Sequence, residues 1–246
     1  MQSIFKRAFT SCLCIVFSFA AQAQEKQFVP CGWYIGSQGG LSMAESNFSS
    51  FGTGGFLPGW NAGLHGGYQL NHLWSVEVTI HYGQLFLTEQ DCCQERNYIL
   101  GEDHKRYRYS VPSGIDTYYY KDLKSHTFVQ YYGTQMNLNI LGFFVRTQES
   151  RWRLELSPTV SVIGTSSDLM LKAEGISAMK DINKWHLGVG GNTQLSYALT
   201  SEINLALYGG FTHLMGSSLD GIPALHSTNY IIDAGLKFSI ALDQRR

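Results

Sequence analysis

Long stretches that alternate apolar with polar residues, a low charge content, and connections that alternate between long and short predict an all-β chain. The fold class they specify is an eight-stranded antiparallel up-and-down transmembrane β-barrel. The clearest alternation runs from Trp60 to Tyr82. Trp60, Ala62, Leu64, Gly66, Tyr68 and Leu70 interleave with Asn61, Gly63, His65, Gly67, Gln69 and Asn71. After a turn at Asn71 to Leu73 the pattern resumes as Trp74, Val76, Val78, Ile80 and Tyr82 against Ser75, Glu77, Thr79, His81 and Gly83. Side chains in a strand alternate between its two faces, so this is a hairpin with one apolar and one polar face. Its strands exceed the five or six residues typical of soluble sheets and match the roughly 9 to 11 that a tilted membrane strand needs.

Charged residues make up 15% of the 246-residue chain, against 26 glycines and 13% aromatics. Residues 1–23 carry Lys6 and Arg7, an apolar run, and Ala21-Gln22-Ala23, the small-x-small pattern of a signal-peptidase site. Cleavage is expected before Gln24. Cys12 and Cys14 lack the setting of a lipid-anchored cysteine. Losing Lys6 and Arg7 with no acid takes the formal charge from −1 to −3, so no basic excess points to nucleic acid. Beyond residue 23 the longest apolar run is Ile140 to Val145, far short of the 18 or so residues of a membrane helix. A mature chain that spans a membrane therefore does so as a closed barrel, which satisfies every backbone group between strands.

In order, residues 24–31 form a short periplasmic lead-in, and the first strand runs from about Trp33 to Met43. Residues 44 to 59, with glycines and Pro58, connect it to the hairpin above. Leu85 to Lys124 is the longest break; it holds thirteen of the 37 charged residues and so belongs in water. The fourth strand is read from Thr127 to about Ile140, and a polar turn at Arg146 to Ser150 leads to the fifth, Trp152 to Val162. Pro158 has no N–H for the ladder, and a bulge is expected there. A loop from Thr165 to Asn183 precedes the sixth strand, Trp185 to Tyr197; a turn at Thr200 to Glu202 gives the seventh, Ile203 to Phe211. Residues 216–227 lead to the eighth, Tyr230 to Ile240, with 243–246 as a short tail.

The connections thus alternate long and short, with long ones at one end of the barrel and short ones at the other. Outer-membrane barrels keep long loops outside and short turns in the periplasm, so both termini are expected to be periplasmic. The polar faces carry only Glu77, Arg153, Glu155, Asp233 and Lys237 as charges, whereas a soluble surface carries about 25 to 35% charged residues. Small uncharged side chains suit the crowded lumen of an eight-stranded barrel. All five tryptophans fall on apolar faces near strand ends: Trp33, Trp74 and Trp152 at the turn end, Trp60 and Trp185 at the loop end. Two such girdles mark the two membrane interfaces.

The signal peptide, the eight strands and the loop asymmetry resemble the outer-membrane β-barrel protein family, which includes the OmpA transmembrane domain, OmpX and PorT-like eight-stranded barrels. The resemblance covers residues 32 to 242 and implies Gram-negative outer-membrane localisation, porin-like architecture and insertion by the barrel-insertion machinery. It brings no catalytic motif. Family members commonly end on an aromatic residue, whereas here Phe238, Ile240 and Leu242 are followed by Asp243-Gln244-Arg245-Arg246.

The five lumen charges are expected to form one satisfied network, since a buried charge must be paired. His65, His81 and His186 are read as packed lumen residues with no metal spacing, and no cofactor is expected. His226-Ser227-Thr228 is similar to the His-x-Ser pair of lipid A deacylase barrels, but places Thr where the Ser stands and has no acid partner. Cys31 is expected at the opposite membrane face from Cys92 and Cys93, which makes it an implausible disulfide partner for either. Lys105 to Tyr109 and Tyr118 to Lys121 flank the turn signal Pro112-Ser113-Gly114-Ile115 and are expected to pair as a protruding hairpin. Its Arg106, Tyr107, Arg108, Tyr109, Tyr119 and Tyr120 are the candidate contacts for a protein or surface partner, because Tyr and Arg are favoured in interfaces. The expected function is non-enzymatic: a structural, adhesive or assembly component acting through its loops in contact with outer-membrane lipid. Small-solute transport is the alternative, and a membrane-embedded lipid hydrolase comes third.

Overall fold

A computed structural model of the chain describes residues 32–52, 55–90, 99–101, 103, 105–107, 113–144, 150–216, 218–220 and 229–242. In chain order the strands are β1 (Gly32–Glu45), β2 (Phe48–Ser49), β3 (Gly59–Gln69), β4 (Trp74–Glu89), β5 (Ile99–Gly101), β6 (Arg106–Tyr107), β7 (Thr117–Tyr119), β8 (Leu123–Asn139), β9 (Trp152–Leu171), β10 (Ser177–Ala198), β11 (Ile203–Met215) and β12 (Tyr230–Ala241). Eight of them, β1, β3, β4 and β8 to β12, make the wall, each antiparallel to the next. The ring closes where β12 returns to β1, from Tyr34 opposite Ala241 to Glu45 opposite Tyr230. Closure disposes of the sheet edges that lipid cannot hydrate.

The turns are encoded locally. Asn71 Oδ1 accepts the amides of Leu73 and Trp74 at 2.8 and 2.9 Å, and Thr200 Oγ1 accepts those of Glu202 and Ile203 at 3.2 and 3.0 Å. Each side chain replaces a backbone turn partner and reverses the chain in a few residues.

The two faces of the wall are sorted as the alternation requires. Along β4, Ser75, Glu77, Thr79 and His81 are buried, whereas Val76, Val78, Ile80 and Tyr82 face outward and are exposed. The lumen is tight enough to need glycine: a Cβ on Gly40 would lie 2.1 Å from the Ala234 carbonyl oxygen and 2.6 Å from Gly235 Cα on the paired strand.

Toward the loop end the lumen changes character. The inward series of β4 continues into Leu85 and Leu87, and Leu123, Leu169, Leu214 and Ile231 join them from other strands. With Phe48, Leu100, Tyr120 and Leu219 from the connections, they form a buried apolar cap inside the mouth of the barrel. Apolar groups turn inward here for the reason they do in any water-soluble core.

Three expectations change. The loop expected from Thr165 to Asn183 is a continuation of the wall: β9 runs to Leu171, β10 starts at Ser177, and Gly175 takes φ +66° in the turn. Pro158 causes no bulge. The β8–β9 pairing lapses between Gln135–Thr159 and Leu138–Leu156 and resumes in the same register, so the missing donor costs ladder bonds without displacing a residue. The hairpin expected between Lys105–Tyr109 and Tyr118–Lys121 is replaced by a three-stranded sheet in the order β6, β5, β7, in which Ile99–Gly101 lies between the two. Leu100 is 4% exposed, and its place in the cap brings β5 to the centre. The signal peptide, the lead-in, all five cysteines, Arg108, Tyr109, His226, Thr228 and the tail 243–246 lie outside the described residues.

Candidate functional site

From the turn end upward, the lumen side chains form layers. In the first, Arg153 Nη1 donates to Gln69 Oε1 at 3.1 Å and lies 3.9 Å from Glu155 Oε1, while Gln194 donates to the other Glu155 oxygen. In the second, Lys237 Nζ reaches Glu77 Oε1 at 2.6 Å. Tyr34, Gln135 and Thr79 add donors to the same carboxylate at 3.2, 3.1 and 3.2 Å. Gln135 Oε1 accepts from Asn192 at 2.7 Å, and Asn137 bridges Ser75 and Ser157 at 2.9 and 2.6 Å. In the third, Asp233 accepts from Ser42 and, at 2.9 Å, from Asn61 Nδ2. His81 stacks on Tyr131 at 4.2 Å and shares a hydrogen bond with Gln38 at 3.1 Å.

The single five-charge network is therefore corrected to two ion pairs and a separate carboxylate. Asp233 sits four residues above Lys237 on one strand, roughly 13 Å away. Among the described residues it has no basic partner and is held by a hydroxyl and an amide instead. A weaker link remains: Lys237 lies 5.7 Å from the Tyr208 ring, whose hydroxyl donates to Asn61 Oδ1 at 2.8 Å. Above the second layer the spaces are small, about 20 and 10 Å³, enough for a water or two.

His65 bonds Ser239 at 2.9 Å and His186 bonds Thr165 at 3.1 Å. Among the described residues no cluster of His, Cys, Asp or Glu is arranged to hold a metal. The tryptophans all stand on the outward face. Trp33, Trp60 and Trp185 are exposed, and Trp74 and Trp152 are half-buried. Trp33 meets Tyr68 edge-on at 5.0 Å, and Trp152 lies 4.7 Å from Tyr197.

A closed eight-strand ring with a polar lumen and an apolar exterior is a membrane architecture, and the family comparison agrees. The family model for the outer membrane protein beta-barrel domain matches residues 9–238. The chain belongs to this family. It is an integral protein of the outer membrane, transmembrane and porin-like in build. No curated protein matches it. Among solved structures, Neisserial surface protein A shares 13% identity over 86% of this chain and 97% of that chain, with a TM-score of 0.47. A major outer membrane protein from Thermus thermophilus shares 11% over 85% and 99%, TM-score 0.45. Ail, the attachment invasion locus protein of Yersinia pestis, solved with the heparin analogue sucrose octasulfate, shares 7% over 84% and 97%, TM-score 0.43.

At the loop end of this outer-membrane barrel, the expected contact residues separate. Tyr120 is 3% exposed, stacks on Phe48 at 4.8 Å and donates its hydroxyl to the Asn47 carbonyl; it belongs to the cap and is removed from the contact surface. The adjacent Tyr119 is 52% exposed, with Lys121 Nζ 5.5 Å from its ring centre. Tyr107 donates to Asp103 Oδ2 at 2.8 Å, which holds the Asp103 carboxyl below its ordinary range. Arg106 lies in β6.

Sequence reading missed the residues that fasten this end. Asp220, fully buried, accepts the Phe48 amide at 2.7 Å and Asn47 Nδ2 at 3.0 Å. Lys172 pairs with Glu89 and donates to the Lys121 carbonyl at 3.0 Å, joining the β9–β10 hairpin to the long connection. These partners lie 83 and 51 residues apart in the chain, and no local pattern announces such pairs.

Proposed function

We propose that this outer-membrane barrel is not an enzyme and works through its loop end, as a structural, adhesive or assembly component. The observation that carries this reading is the apolar cap. It fills the barrel mouth and at the same time gives the β5–β7 sheet a fixed base through Leu100 and Tyr120. A filled lumen favours a surface role over passage of solutes. In this reading residues 85–124 are outside the cell, both termini are periplasmic, residues 1–23 are a cleaved signal peptide, and the barrel-insertion machinery and outer-membrane lipid are its general partners. A protein or surface partner meets the exposed part of the long connection around Tyr107 and Tyr119; nucleic acid is not a partner.

External protease on intact cells should cut between residues 85 and 124. Protection there, with cleavage only after the membrane is opened, overturns the topology. The partner is tested by crosslinking and pull-down. Deleting the whole segment would remove Leu100 and Tyr120 from the cap, so the informative variant is Tyr119→Ser with Lys121→Ser, which alters the surface and leaves the base. Loss of crosslinked partners from this variant is expected; an unchanged set moves the working surface elsewhere.

A further inference from the structure

The connection from β1 to β3 is unlike the long one: from Ser46 to Val76 the sequence has no Asp, Glu, Lys or Arg, against thirteen charges between Leu85 and Lys124. It also has more chain than wall to cover. β2 leaves β4 with Ser49 opposite Thr88, and β3 joins β4 with Trp60 opposite Gln84, so ten residues pass only three of β4. The surplus forms an excursion from the wall.

This excursion lies on the outer side. Within the barrel the cap occupies the same height, with Phe48 and Leu87 at most 1% exposed. A Cβ on Gly52 would come within 2.6 Å of Thr88 Cγ2, and alternation with Gln84 and Phe86 puts Thr88 on the outward face of β4. The backbone of the excursion is held by its own bonds. Ser50 donates its amide to the Ala44 carbonyl at 2.9 Å, Leu57 to the Ser50 carbonyl at 2.9 Å, Gly55 to the Gly52 carbonyl at 3.1 Å, and Phe51 to Ser49 Oγ at 3.0 Å. The aromatic side chains are uncovered. Phe51 and Phe56 are 51% and 58% exposed, with ring centres 5.8 Å apart, and Trp60 where the wall resumes is 45% exposed.

Height decides what covers these rings. Thr88 stands four residues above Gln84, roughly 13 Å along the strand and about 10 Å along the barrel axis at the usual tilt. A headgroup layer is about 5 to 8 Å thick, and tryptophan marks its boundary with the acyl chains. Counted from Trp60, the excursion is therefore rooted in that layer and just above it. A charge-free segment with bonded amides loses little on leaving water there, and two half-exposed phenylalanines gain by it.

We propose that this excursion is a lipid anchor, with Phe51 and Phe56 resting in the headgroup and acyl boundary of the leaflet at the loop end, beside Trp60. Its partner is the bilayer itself, whichever side of the cell that end faces. Phe48, three residues before Phe51, stacks on Tyr120 in the cap, so one short connection is fastened to lipid on one side and to the barrel's filling on the other.

The test places the photoreactive analogue p-benzoylphenylalanine singly at positions 51, 56, 60 and 119 of the full-length barrel in phosphatidylcholine vesicles. Lipid adducts are read by mass after irradiation. Adducts from 51 and 56 should match those from 60 to within about threefold and exceed those from 119 by about tenfold. Yields at 51 and 56 no higher than at 119, equal yields at all four positions, or crosslinks between two chains in place of lipid overturn the anchor. A second measurement uses the unaltered chain in phosphatidylcholine nanodiscs: a nitroxide at the top of the acyl chain should broaden the ring signals of Phe51 and Phe56, and a water-soluble nitroxide should spare them. The reverse pattern puts both rings in water and overturns the anchor as well.

Discussion

Lys237 and Glu77 form a 2.6 Å ion pair although their strands, β12 and β4, are separated in the wall by β1 and β3. The bond therefore crosses the lumen and ties opposite parts of the wall. Both side chains are at most 4% exposed, so neither charge is hydrated as it would be at a surface.

Replacing Lys237 with Met should leave Glu77 buried and unpaired, at a cost of about 3 to 5 kcal/mol. Lys105, whose side chain is 74% exposed beside Asp103, should cost less than about 1 kcal/mol when changed in the same way. Denaturant unfolding in lipid vesicles measures both. Equal midpoints would mean that Lys237 is hydrated. Adding Glu77→Gln to the Lys237 variant should recover part of the loss.

The filled lumen should not conduct. Planar-bilayer recordings of purified protein are expected to stay silent, and to remain so for Glu77→Ala, because the cap and the His81–Tyr131 stack stand above that layer. Stable unitary currents that change with Glu77→Ala would return transport to the front.

Two glycines should answer oppositely to alanine. At Gly40 the new methyl would fall within 2.1 Å of backbone, and forcing the strands apart should cost at least about 1 to 3 kcal/mol. At Gly209, on the outward face, a Cβ meets nothing within 4 Å, and the substitution should be neutral or stabilising by about 0.5 to 1 kcal/mol. The comparison of unfolding midpoints tests whether tightness is confined to the lumen side.

Outside the membrane, the Tyr107–Asp103 bond gives the long connection a pH dependence. The hydroxyl holds the Asp103 carboxyl below its ordinary value, so this contribution to order is complete above the usual carboxylate range and is lost as pH falls through the lowered value. The same bond raises the Tyr107 phenol, so on the alkaline side the order persists until the pH climbs past that raised value. Protection factors of the Gly101 and Lys105 amides, each taken against the intrinsic exchange rate at that pH, should be high at pH 7 and fall toward pH 3. Tyr107→Phe should abolish the difference between the two; an unchanged profile would assign the ordering to other contacts.

The strands are legible wherever the wall separates lipid from a polar lumen, because Val76, Val78 and Ile80 against Ser75, Glu77 and Thr79 can have only one physical reading. That legibility stops where the solvent outside changes. Above Val162 the outward residues of β9 become Gly164, Ser166 and Asp168 while Ile163 and Leu169 turn inward, so the code that identifies a membrane strand fades although the strand continues to Leu171. Tyr120 departs from expectation for a related reason: a tyrosine in a charged connection reads as surface, and only the arrival of Phe48 from far along the chain makes it core. The charges in the lumen can be enumerated from alternation, but which of them meet depends on strand height and on cross-lumen reach. Asp233 and Lys237 show this, on one strand and yet with different partners.

The apolar cap also bears on how such a surface can diverge. Because Leu85, Leu87, Leu123 and Leu169 seal the mouth from within the wall strands, the membrane's insulation does not rely on the residues that face outward beyond it. If the loop end lies outside the cell, as proposed, changes at Tyr119, Lys121 or Asp103 alter the displayed surface without opening a leak. On that reading the barrier and the display are built from separate side chains, and selection can act on one while leaving the other alone.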